Sequence, residues 1–328
     1  MKKKVVVIGG GTGLSVILRG LKTFPVDITA IVTVADDGGS SGILRKELDI
    51  PPPGDVRNVL VALAEVEPLV EELFQHRFSS GDGLSGHSLG NLLLAGMTSI
   101  TGDFQKGISA ISRVLNVRGR VLPAANESIV LHAEMHDGSI VSGESSIPLA
   151  AKGIKRVYLS PEHVSPLPET LDALHEADLI VLGPGSLYTS IVPNLLVPGI
   201  KEAIAASKAK KAYICNVMTQ AGETDGYSAS DHLQGLFKHC GGQLVEYILV
   251  NSTTISESVR SLYRLEKAEQ VVVDSDVLES MGVTPIKGRF VLEANQKLRH
   301  DAMKVSKALI SLLEEKEQQP TYRERNRC

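Results

Sequence analysis

Two glycine-rich runs carry the residue types best suited to chemistry: Gly9, Gly10, Gly11, Thr12 and Gly13 near the start of the chain, and Gly183, Pro184, Gly185 and Ser186 further on. Glycine lets a backbone approach a ligand closely. Where such a turn opens a helix, its N–H groups and the positive end of the helix dipole meet a phosphate. Thr12, Ser186 and Thr189 add hydroxyl donors. The first run is not the dinucleotide fingerprint G-x-G-x-x-G, because Leu14 stands where the third glycine belongs, and it lacks the P-loop lysine. Two turns of this kind point to a phosphate or diphosphate held between two halves of a site, against the plainer reading of tight turns that need positive φ angles.

Acids and amides follow at comparable places. Asp36 and Asp37 end a second apolar run, 25 residues after Gly11 for the first of them, near where a ribose-binding acid is expected. In Pro51-Pro-Pro-Gly-Asp55-Val-Arg57-Asn58, Asp55 and Asn58 open another helix. Asp37 and Asp55 are candidate ligands for magnesium bridged to a substrate phosphate, and the alternative for each is a helix cap. Gly86-His87-Ser88-Leu89-Gly90 spells the hydrolase elbow G-x-S-x-G, but polar loop precedes it where an elbow requires a strand. His87, Ser88 and Asn91 are read instead as a helix N-terminus offered to a ligand. Asn216, at the end of the run 212–215, and Tyr263 and Arg299 complete the candidate nucleotide-binding set. His132, Glu134 and His136 share one face of a proposed strand and could ligate zinc, but the wet side of a hairpin has the same pattern. No nucleophile paired with a base stands out, so no catalytic residue is assigned.

These residues need a scaffold. Residues 4–8 are a β-branched run, followed by a glycine turn and a helix with Leu14, Ile17, Leu18 and Leu21 on one stripe; residues 28–34 return as a strand. The same order recurs at 179–182, 212–215 and 247–250, each ending in polar or glycine-rich residues. Alternation of this kind predicts a Rossmann-like, doubly wound, mostly parallel α/β sheet with ligands beyond the carboxyl ends of its strands. Residues 55–97 read as mostly helical with a break at 79–86, and 128–147, with Asp137-Gly138, as a small β-hairpin excursion. Residues 296–317 read as one amphipathic helix, giving one domain over 1–317 and a flexible tail at 318–328.

The composition sets the outer limits. The 328 residues are 43% hydrophobic and 22% charged, which places the chain among globular proteins and away from disorder. A net charge of −4 supplies no general field for nucleic acid or an anionic membrane, and no apolar run is long enough to span a bilayer. Three cysteines without metal spacing fit a reducing compartment, so the expectation is a cytoplasmic protein. A homo-oligomer is compatible with the sequence, which identifies no protein partner.

Taken together, GGGTGLS at 9–15, TVADDGGSSGILR at 33–45, PPPGDVRN at 51–58, HSLGNLLL at 87–94 and GPGSLYTSIVPNL at 183–195 resemble the bacterial gluconeogenesis factors, relatives of the 2-phospho-L-lactate transferases of deazaflavin coenzyme synthesis. The resemblance implies a Rossmann-like α/β/α fold, UDP-N-acetylglucosamine as a ligand, and a role in growth and cell shape on gluconeogenic carbon sources. By position, residues 10–13, Asp37 and Asp55 match the nucleotide and metal region of the transferases, whose acceptor-side segment differs from residues 38–55 here. Three functions follow: a regulatory protein that binds a nucleotide sugar, a magnesium-dependent phospholactyl-type transferase with a nucleotide diphosphate donor, or an NAD-binding protein.

Overall fold

The computed structural model describes residues 2–294 and 296–314. A seven-stranded sheet is its centre, made of β1 (Lys3–Gly9), β2 (Val26–Val32), β3 (Arg120–Pro123), β7 (Leu179–Leu182), β8 (Lys210–Ile214), β9 (Tyr247–Asn251) and β10 (Thr284–Gly288). A second sheet interrupts it, with β4 (Val130–Met135), β5 (Ile140–Ser142) and β6 (Ile154–Ser160), and near the C-terminus β11 (Val291–Ala294) pairs with β12 (Lys297–His300). The main sheet runs β10-β9-β8-β7-β1-β2-β3, and every neighbouring pair is parallel.

Parallel strands covered on both faces need apolar residues at successive positions, which is the pattern of residues 5–8 and 179–182: all eight are buried. From β1 the chain winds outward through β2 and β3, then returns to β7 on the other side of β1 and winds the opposite way. Strand order therefore reverses between β1 and β7. That switch point opens a crevice at the carboxyl end of the sheet, and both glycine runs leave their strands beside it. They touch: Gly183 N donates to the Ile8 carbonyl at 2.8 Å, and a Cβ on Gly9 would lie 3.7 Å from Gly183 Cα.

The helices α1 (Gly11–Leu21), α2 (Gly39–Leu48), α3 (Gly54–Leu63), α4 (Pro68–Gln75), α5 (Leu89–Thr101) and α6 (Phe104–Val114) fill the first half. The expected helical stretch 55–97 is thus three helices, α3, α4 and α5, with turns at 79–86. The β excursion has a third strand, β6, beyond its expected end, and the strand expected at 28–34 lies two residues earlier. The C-terminal helix needs correction. It begins at Ala302, after Asp301 accepts the Lys304 N–H at 3.1 Å, and residues 297–300 are strand β12. Leu298 matches the helical spacing of Leu309 and Leu312, but Gln296 at φ 60 turns the chain into the β11–β12 hairpin. Residues 315–328, including the expected tail, lie outside the described residues.

Candidate functional site

A cleft of about 650 Å³ lies at the switch point. Of the residues singled out in the sequence, it brings together Gly10, Gly11, Thr12, Gly13, Gly185, Ser186, Asn216, Tyr263 and Arg299. Gly9 and Gly183 stand behind the wall; the Gly9 carbonyl accepts from Thr33 N at 2.9 Å.

The floor is the start of α1. The helix has no capping side chain at Gly10, and its first residue, Gly11, sits at φ 66 with open space where a Cβ would project. The Asp55 carboxyl stands against the Gly11 N–H, and Thr12 and Gly13, whose first-turn N–H groups have no intrahelical acceptor, line the cleft. Gly10 admits no side chain: a Cβ there would lie 2.5 Å from Thr33 Cγ2 and 2.6 Å from Asp55 Oδ2.

The second turn is arranged differently. Ser186 opens a π-helical turn, Leu187–Ile191, whose leading N–H groups resemble an anion site. A carboxyl of the chain already stands against them. Glu223, buried in the loop after β8, accepts from Thr189 Oγ1 at 3.2 Å through Oε1, while its Oε2 has no hydrogen-bond partner among the described residues. Burial pushes the Glu223 pKa up to about 7, against the pull of the nearby Thr189 and Ser186 hydroxyls and the Tyr188 and Thr189 N–H groups. Gln220 Nε2 donates to Ser186 Oγ at 2.7 Å and Asn216 Nδ2 to Gln220 Oε1 at 3.0 Å, so Asn216 joins the same network.

The third wall comes from the C-terminal part. Tyr263, on the helix Glu257–Leu265, accepts the Leu298 N–H at 3.1 Å through its hydroxyl, and packs with Leu298 against Met218 and Val259. Arg299 lines the cleft from β12, exposed and without an ion pair among the described residues. The cleft therefore offers the N-terminus of α1 on one wall and a guanidinium with an aromatic ring on an apolar base on another.

The remaining candidates form a polar seam beside the cleft, where α2, α3 and α5 begin. His87 Nδ1 and Ser40 Oγ are 3.0 Å apart, and Asn91 Nδ2 donates to the same hydroxyl at 3.1 Å. Ser88 caps α5 and accepts from Arg57, which also donates to Asn58 Oδ1 at 2.8 Å. Ser88 is thus a helix cap with no strand before it, in keeping with the rejection of an elbow serine. Asp36 is the acid whose charge reaches Asp55, and burial followed by that neighbour pushes the Asp55 pKa up to about 7. Asp37 is directed elsewhere, with Oδ1 accepting the Ser145 N–H at 2.9 Å. Two hard carboxylates beside a helix N-terminus suit magnesium that keeps several waters and a phosphate oxygen; among the described residues no group of three or more His, Cys, Asp or Glu side chains is arranged to hold a metal alone. His132 and Glu134 are engaged on the wet face of the excursion: His132 stacks on Tyr158 at 5.1 Å, and Glu134 pairs with Lys155 and Arg156, each at 2.6 Å.

Two acids at or beside the cleft escape the sequence reading. Glu144, at the end of the β excursion, lines the cleft, and burial with the charges of Asp36 and Asp55 pushes its pKa up to about 7. Glu223 lies between Gly222 and Gly226, and only that glycine-bounded acid after a strand end hints at its role.

Fold and site together define a class, a doubly wound α/β protein with an uncapped helix N-terminus at its switch point. The model of the family described as 2-phospho-L-lactate transferase CofD matches residues 5–291. The chain belongs to this family, among its gluconeogenesis factors. It is 70% identical over 309 residues to the gluconeogenesis factor of Halalkalibacterium halodurans, covering 94% of this chain and 96% of that one, and 60% identical over 314 residues to that of Bacillus subtilis, covering 96% and 99%. A crystal structure of a Bacillus halodurans protein, 70% identical, superposes with a TM-score of 0.93 over 94% of this chain and 100% of that one. Among the described residues no helix is long and apolar enough to cross a membrane.

Proposed function

We propose that the protein binds a nucleotide sugar of the UDP-N-acetylglucosamine type and acts as a cytoplasmic regulatory protein needed for growth and cell shape on gluconeogenic carbon sources. The observation that carries this reading is the uncapped first turn of α1, with Thr12 and Gly13 lining the same cleft as Arg299 and Tyr263. A diphosphate on the helix N-terminus uses both the dipole and the N–H groups, the guanidinium adds a charge-assisted bond, and the Tyr263 ring gives a planar base an apolar surface. Titration calorimetry with UDP-N-acetylglucosamine tests it. Binding that weakens about tenfold in Arg299→Ala is expected, since one charge-assisted hydrogen bond is worth roughly 1.5–3 kcal/mol. Absence of heat, or affinity unchanged in both Gly11→Ala and Arg299→Ala, overturns it.

A second reading, a magnesium-dependent phospholactyl-type transferase, is favoured by Asp55, whose carboxyl meets the Gly11 N–H with Asp36 beside it. Magnesium would neutralise a diphosphate leaving group there. This chain's part would be to hold the donor on α1. Metal-dependent turnover of a nucleotide donor, lost in Asp55→Asn, is the expected result; turnover that survives in that variant excludes this role for Asp55.

A further inference from the structure

We propose that Glu144 selects ligands by charge, admitting a diphosphate that ends in an uncharged sugar and rejecting one that ends in another phosphate. The inference rests on the nucleotide reading above and adds the charge pattern of the ligand to it.

Glu144 is held in place by the fold. It stands on the turn between β5 and Pro148–Ala150 and lines the cleft together with the first glycine turn. Asp37 Oδ1 accepts the Ser145 N–H at 2.9 Å, and the Ser146 and Ile147 N–H groups both donate to the Gly143 carbonyl at 3.1 Å. Gly143, at φ 100, passes so close to Asp37 that a Cβ there would lie 2.2 Å from Oδ2. The β excursion is thereby clamped to the loop after β2, which fixes where the Glu144 carboxyl stands.

The groups around Glu144 are acids: Asp36 and Asp37 from the loop after β2, Asp55 from α3 and Glu223 from the loop after β8. Among the described residues that line the cleft, Arg299 alone carries a guanidinium or ammonium group. A phosphate on α1 meets first-turn N–H groups that have no intrahelical acceptor. A further phosphate beside Glu144 would meet like charge, and at the second turn it would meet the Glu223 carboxyl as well. A sugar hydroxyl or an acetamido N–H, by contrast, donates to a carboxylate. The pattern of the cleft is thus anion first, neutral hydrogen-bond donor second.

Calorimetry at pH 8 with a chelator, comparing UDP-N-acetylglucosamine with UTP on the full chain, separates the possibilities. The wild-type chain should prefer the nucleotide sugar, and Glu144→Gln and Glu144→Ala should each bind UTP about tenfold more tightly than wild type, the order expected for removing one like charge from a partly screened site. Melting curves that match wild type certify both variants as folded. UTP affinity unchanged in both folded variants, while UDP-N-acetylglucosamine still binds, overturns the role of Glu144 and leaves the nucleotide reading standing. Failure of the wild-type chain to bind either nucleotide overturns both.

Discussion

The two glycine turns flank one switch point, leave neighbouring parallel strands and open helical turns, yet they differ in what meets their N–H groups. At the first, Asp55 stands against the Gly11 N–H, and Thr12 and Gly13 line the cleft with first-turn N–H groups that have no intrahelical acceptor. At the second, Glu223 stands beside the Tyr188 and Thr189 N–H groups and accepts from Thr189 Oγ1, so the place where a ligand anion would sit holds a carboxyl of the chain itself. A glycine turn at a strand end therefore marks a place where an anion fits, and a distant residue decides whether that anion comes from outside. On the proposed nucleotide reading the consequence is polarity: the phosphate belongs on α1, and the second turn serves as a prearranged wall.

Removing the internal carboxyl is the strongest way to break this contrast. Glu223→Ala leaves the Thr189 hydroxyl without its acceptor and the Tyr188 and Thr189 N–H groups without their neighbouring carboxyl in a buried place, and a loss of about 2 kcal/mol in unfolding free energy is expected. The variant should then behave at its second turn as wild type does at its first. Inorganic phosphate should raise the melting temperature of Glu223→Ala more than that of wild type. Equal phosphate shifts in the two proteins would show that the second turn does not accept an anion even when vacated.

How far the sequence could carry this contrast depends on the range of the interactions involved. The central strands are legible because burial on both faces demands apolar residues at successive positions, as in residues 5–8 and 179–182. Strands β3 and β10 are not, because each is a short edge strand containing a proline, Pro123 and Pro285, and edges require no continuous apolar run. The first turn and Arg299 are legible as candidates from type and place, and both line the cleft. Glu223 and Glu144 were not, because their roles arise when two loops distant in sequence meet at one sheet edge. Leu298 shows the converse failure: its spacing fits the following helix, but Gln296 at positive φ and pairing with β11 place it under Tyr263.

Steric contrast between the turns gives a second effect. Gly10→Ala forces a methyl group against Thr33 and Asp55 at contacts of 2.5 and 2.6 Å and should cost about 2 kcal/mol, with loss of nucleotide binding because α1 must shift. Gly185→Ala meets only Ser190 Cβ at 3.2 Å and the Gly10 carbonyl at 3.5 Å, and should cost less than about 1 kcal/mol. Denaturant unfolding of the two variants compares them directly. Equal losses would mean that the first turn is no more tightly enclosed than the second.

The smallest effect is one of pH, and it isolates the charge of Glu223 from its shape. Its pKa in the folded chain is raised from about 4.5 to about 7, so the folded state holds the proton over a range where the unfolded chain releases it. The resulting stabilisation is fully present below pH 4.5 and is lost as the pH rises through 7. Between pH 5 and 8 this one group should lower wild-type stability by roughly 1–2 kcal/mol, the shift being worth about 1.4 kcal/mol per unit before relaxation of the site. Glu223→Gln keeps a carbonyl oxygen for the N–H groups and carries no titrating proton, so its stability should fall less over the same interval. Urea unfolding at pH 5 and pH 8 on both proteins measures the difference. Parallel losses would place the proton elsewhere, on Asp55 or Glu144, and the second turn would then hold an ionised carboxylate throughout, which would deepen its contrast with the open turn at α1.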